Sequence, residues 1–133
     1  NSVGGEGKSI WGKRADWVHY YGTIEGKEAG IAFFSHPSNL AKKGEKSWWH
    51  ARDYGLISAN PFAPTKLGGD GKHTIRKGQS LKLRYRFVFH SGSKKDARIE
   101  ERFADYAKDP GYPTSIMPPH PGYPEDYLSE KKK

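Results

Sequence analysis

The chain has 133 residues, the length of one domain, with 23 Lys and Arg against 15 Asp and Glu, a formal net charge of +8, and no cysteine. The absent thiols exclude a disulfide framework and a thiolate metal site, and no apolar run approaches the roughly 20 residues a membrane-spanning helix needs. The lysines are scattered and no phosphate-gripping motif accompanies them, so a solvated basic surface is favoured over nucleic-acid binding. The apolar weight sits in four Trp, eight Tyr and six Phe, residues that suit strands and also sugar-facing or protein-facing surfaces. Met117 is the only methionine and the sequence opens on Asn1, so a chain processed or trimmed from a longer one is expected.

Residues 1–9 are glycine-rich and polar and read as a lead-in loop. ADWVHYYG (15–22) and AGIAFFSH (29–36) are rich in aromatic and β-branched types, and the turn around Gly26 makes them a hairpin. PSNLAKKGEKS (37–47) is loop, WWHARDYGLISA (48–59) is extended, and NPFAPTKLGGDGKH is a turn-rich connection. In QSLKLRYRFVFHSG, Leu81, Leu83, Tyr85, Phe87 and Phe89 alternate with Lys82, Arg84, Arg86, Val88 and His90, the pattern of a strand with one buried face. SKKDARIEERFADYAK (93–108) switches to helical spacing, with Ile99, Phe103 and Tyr106 in one stripe and Ser93 with Asp96 as a capping pair. From Asp109 onward the prolines forbid regular structure, so 109–133 is expected to be an extended arm.

The expected fold is therefore all-β, an antiparallel β-sandwich or supersandwich portion over 1–108 with one late α-helix. Four strands with a strongly apolar face need a second sheet that this chain barely supplies. Partner strands are expected from elsewhere, either a second polypeptide or an N-terminal half.

The chemistry concentrates in WWHARDY. On a strand Trp48, His50, Arg52 and Tyr54 share one face, offering a stacking ring, an imidazole, a bidentate donor and a phenol. Such a face suits an acidic or keto-sugar ligand, and a structural Arg52–carboxylate network is its bland counterpart. His50 is the leading acid–base candidate and Arg52 the anchor, with Trp48 and Tyr54 as the stacking surface. His36 at a strand end is a further candidate for the catalytic part of the site, and Asn39, Arg84 and His90 are candidate ligand contacts. Asn39 could equally cap its own turn, and the Arg84–His90 row could be merely solvated. His36, His50 and His90 lack close ligand spacing, so no metal is assigned and no cofactor is specified.

WGKRADWVHYYG, GIAFFSHPSN, WWHARDYGLISANPF and LRYRFVFHSG, in that order, resemble the C-terminal half of a bacterial family that carries the label methane oxygenase PmoA. The resemblance covers about Asn1 to Lys108. It implies a supersandwich of the galactose-mutarotase type, a fold that commonly handles carbohydrates, in a periplasmic or secreted protein. His19 stands where that family generally shows aspartate, and its N-terminal half, with a further histidine-rich motif, has no counterpart in these residues. The function expected is carbohydrate binding with carbohydrate processing. The alternative is a non-catalytic binding or assembly subunit of an extracellular complex.

Overall fold

The computed structural model describes residues 1–39, 45–62 and 65–108. After a single 3-10 turn, Gly7–Ile10, a two-residue strand β1 (Arg14–Ala15) is followed one residue later by β2 (Trp17–Ile24), which turns back into β3 (Lys27–Ser35). The turn is Glu25–Gly26, with φ of 50° and 77°; two left-handed residues match the right-handed twist of the strands they join. Pairing runs without a slip from Ile24 opposite Lys27 to Trp17 opposite Phe34. β4 (Ser47–Ala51), β5 (Ile57–Ala59), a second 3-10 turn (Thr65–Leu67), β6 (Tyr85–Ser91) and the helix α1 (Ile99–Lys108) follow.

Two three-stranded antiparallel sheets result, ordered β1-β4-β5 and β2-β3-β6. Val18 and Phe33 from the second sheet meet Ala15, Trp49 and Ala51 from the first, with Ile10 closing one end. Trp49 is 1 % exposed, and its indole N–H donates to Ala15 O at 2.8 Å, so the largest ring in this core carries no unpaired polar atom. The opposite face of the second sheet, through Trp17, Ala32 and Phe34, packs on Ala97, Ile99 and Tyr106. The order of layers is sheet, sheet, helix, which is the expected antiparallel β-sandwich with one late helix.

Three local expectations need correction. The segment 48–59 is two strands, because the chain turns at Asp53–Gly55 and Arg52 N–H donates to Leu56 O across the hairpin. The helix starts at Ile99 rather than Ser93. Ser93 Oγ donates to Asp96 Oδ2 at 2.6 Å and accepts from Asp96 N–H, which builds a separate turn ahead of it. In β6 the aromatic face is covered only at its first residue. Tyr85 packs on the sheet–sheet core, whereas Phe87 and Phe89 are 53 % and 75 % exposed. The reason is length: the covering sheet consists of strands of two, five and three residues, and β6 runs past its edge. The other face, thought solvated, lies under α1, with the Arg86 guanidinium 4.5 Å from the Tyr106 ring and Val88 in the second core. The proline-rich arm, 109–133, lies outside the described residues.

Candidate functional site

The residues singled out from the sequence fall into three separate places. The first is the outer face of β4. Trp49 and Ala51 point into the core, so alternation sends Trp48 and His50 outward. Trp48 is paired across the strands with Arg14, whose guanidinium sits 4.6 Å from the indole ring and is held by Glu45 at 2.9 Å. His50 is exposed and meets the edge of the Trp11 ring at 6.5 Å. The Arg52 guanidinium stacks over Trp11 at 4.7 Å, and its Nε is buried with no hydrogen-bond partner among the described residues. Trp11 is thus the hinge of this face. Tyr54 does not join it: the turn after β4 carries it away, 76 % exposed.

Trp48 forms one wall of a cavity of about 400 Å³. Arg14 and Lys46 line it on the strand side, and Phe62, Asp70, Lys72 and His73 line it from the long connection. Gly68, in the left-handed region at φ 84°, brings the backbone against the far rim of the Trp48 indole; a side chain there would be strained and would touch the ring. The Phe62 and His73 rings meet with centroids 5.6 Å apart and planes tilted by 42°. The wall therefore mixes aromatic surfaces with cations and two carboxylates, Glu45 and Asp70, the composition expected of a site for a polar ligand with apolar faces. Arg14 and His73 lie 34 and 25 residues from Trp48 along the chain. Only the cross-strand register and the fold-back of the connection bring them to Trp48.

The second place is a lock at the end of β3. Asn39 is 1 % exposed; its amide donates to Arg84 O at 2.6 Å and Ser35 Oγ at 3.1 Å, and its Oδ1 accepts from Arg84 N–H at 2.6 Å. An amide that closes a backbone N–H and C=O in this manner replaces one rung of a strand ladder. Asn39 is thus placed as a structural clamp, buried away from any ligand. His36, 6 % exposed, lies between the Arg84 guanidinium, 2.6 Å from its Nδ1, and the Tyr106 ring at 5.1 Å. Ser38 N–H also donates to His36 Nδ1. His36, Asn39 and Arg84 form one cluster, and it is apart from Trp48.

The third place holds His90. It lies on the helix side of the second sheet, across two layers from His50, and pairs with His19 at 2.8 Å between the two Nε2 atoms. Burial above all, then the neighbouring His90 and Lys94, push the His19 imidazole down to about 4, so it is neutral at physiological pH. The alternation of WVHYYG placed His19 on a strand but gave no sign of its partner, 71 residues away. Among the described residues no group of three or more His, Cys, Asp or Glu is placed to hold a metal, and no helix is long and apolar enough to cross a membrane.

A family model, described as a family of unknown function, DUF6807, matches residues 1–104. The chain belongs to this family. The match takes in all six strands of the DUF6807 domain and the first half of α1. No curated protein and no solved structure matches the chain.

Proposed function

We propose that this DUF6807 protein binds carbohydrate in the cavity beside Trp48 and processes the bound sugar. The observation that carries the reading is the cavity wall, where an indole braced by Arg14 stands opposite Phe62 and His73. Pyranose rings present C–H faces that pack on aromatic rings and hydroxyls that pair with charged side chains, and acidic sugars add a carboxylate for Arg14, Lys46 or Lys72. The resemblance to the PmoA-labelled family points the same way, and the reading carries with it a periplasmic or secreted location. His50, two residues along the same strand face, is the acid–base group a ligand lying along β4 would reach.

Calorimetric titration with neutral and uronic oligosaccharides tests the binding. We expect Trp48→Ala to weaken affinity at least tenfold with an unchanged circular dichroism spectrum. Absence of binding by the native chain, or binding indifferent to Trp48, overturns the site. Turnover of the bound sugar that His50→Ala leaves intact removes the acid–base assignment.

The assembly reading is favoured by a different observation. β6 is an edge strand of its sheet, its outer backbone edge has no strand beside it among the described residues, and Phe87 and Phe89 stand exposed beside that edge. An exposed aromatic edge of this kind invites a further strand from a second polypeptide or from another part of the same protein. Phe89→Lys should abolish co-purification of such a partner while leaving the fold intact. A chain that is monomeric and fully soluble with Phe89 in place, and that recruits nothing, counts against it.

A further inference from the structure

Past the Trp48 cavity, the outer face of β4 leads to an arginine with no anionic partner among the described residues. Arg52 follows β4 directly, and its backbone N–H closes the hairpin by donating to Leu56 O at 2.8 Å. Its guanidinium lies 4.7 Å from the Trp11 ring, and His50 meets the edge of the same ring. Nε is buried, while the two Nη atoms bond to no described residue and stay open to solvent. The cations that line the Trp48 cavity differ. Arg14 is held by Glu45 and Lys46 by Asp16, and Lys72 is an exposed point charge on a long stem. Arg52 instead presents a planar donor fork, laid on an indole and short of an acceptor. A fork already held by stacking loses little further freedom when it takes up a ligand.

Trp48 and Arg52 are four residues apart on one strand face, roughly 13 Å at the rise of an extended chain. One sugar ring seated against Trp48 does not span that distance, whereas a chain of several does. Given the carbohydrate reading of the Trp48 cavity, on which this rests, we infer that the ligand is an acidic oligosaccharide. One ring packs against Trp48, and the carboxylate of a uronic residue further along is bound end-on by Nη1 and Nη2 of Arg52. The carboxylate accepts two parallel N–H bonds, a geometry that a guanidinium offers and an ammonium does not. Trp11 is a positioning residue: it touches the guanidinium and fixes the direction of the fork. His50 stands between the two subsites on the same face, beside the linkage that joins the rings.

The test is calorimetric titration of the full chain with tetrasaccharides of glucuronate, galacturonate, mannuronate and guluronate. Each is paired with its methyl ester, which removes the charge and keeps the rings. We expect at least one acid to bind about tenfold or more tightly than its ester, with a preference that shrinks as salt is added. Arg52→Gln should erase the preference while leaving the affinity for the ester and the circular dichroism spectrum as in the native chain. Arg52→Lys, which keeps the charge without the fork, should retain only part of it. Trp11→Leu should also lower the preference without changing affinity for the ester, whereas Trp48→Ala should weaken acid and ester alike. Binding that depends on Trp48 but treats acid and ester equally overturns the Arg52 assignment and leaves the Trp48 site standing. So does a preference that survives Arg52→Gln or is undiminished in Arg52→Lys. Absence of binding to every acid and ester, or binding indifferent to Trp48, overturns both.

Discussion

Replacing Asn39 by alanine separates a structural amide from a ligand contact. The side chain makes three hydrogen bonds, to Arg84 O, Arg84 N–H and Ser35 Oγ, and is 1 % exposed. A typical intramolecular hydrogen bond contributes about 1 kcal/mol net, and a buried group left without its partner costs about 1–3 kcal/mol. The Arg84 amide and carbonyl precede β6 and are only partly buried, so water recovers part of the loss. The expected destabilisation is about 2–4 kcal/mol. At about 4 °C per kcal/mol for a domain of this size, the melting temperature should fall by roughly 10 °C. Urea unfolding at pH 7, followed by far-ultraviolet circular dichroism, gives the free energy directly, with an unchanged slope expected. Asn39→Asp keeps the acceptor for Arg84 N–H but loses both donated bonds and sets a carboxylate oxygen against Arg84 O, so it should cost at least as much. Below its own transition Asn39→Ala should bind any sugar as the native chain does. A change under 0.5 kcal/mol, or a stable variant with lost affinity, would refute the clamp and return Asn39 to the ligand.

Trp49→Ala should cost about 3–5 kcal/mol in the same assay, because the ring is 1 % exposed and its N–H closes on Ala15 O. Phe89→Ser, at a position 75 % exposed, should change stability by no more than about 0.5 kcal/mol. Stability should fall as pH drops from 6.5 towards 4. There the unfolded chain protonates His19 while the folded chain, with that imidazole held at about 4, does not. The slope between those limits integrates to at most roughly 3 kcal/mol and should vanish in His19→Gln. Gly30→Ala should be strongly destabilising, because the new methyl group would meet His90 Nε2 and stand 2.6 Å from the Tyr20 carbonyl oxygen, and the Gly30→Ala, His90→Ala double variant should recover only part of the loss because the backbone contact remains.

Local chemistry was sufficient for the hairpin, the β6 strand and the helix, but not for the break within 48–59. Aromatic and β-branched residues marked strands at 15–22 and 29–36, which are Trp17–Ile24 and Lys27–Ser35; alternation from Leu81 to His90 marked β6, which begins only at Tyr85; glycine marked the Glu25–Gly26 turn, and helical spacing of Ile99 and Phe103 marked the helix. Periodicity also put Trp48 and His50 on one face and Trp49 on the other, since side chains on a strand alternate whatever the strand packs against, while only the packing shows which face is inward. Which apolar face is covered, and for how far, is a different matter. Phe87 and Phe89 carry the same pattern as Tyr85, and only the short reach of the opposing sheet leaves them in water. Likewise nothing in SHPSN distinguishes a ligand-binding Asn39 from one that closes on the Arg84 backbone 45 residues later. The grouping of side chains into the Trp48 cavity, the Asn39 clamp and the His19–His90 pair depends on contacts between distant segments. Those contacts are set by strand register and layer order, and a single sequence records neither, because both arise from the summed packing of elements that are each locally compatible with several arrangements.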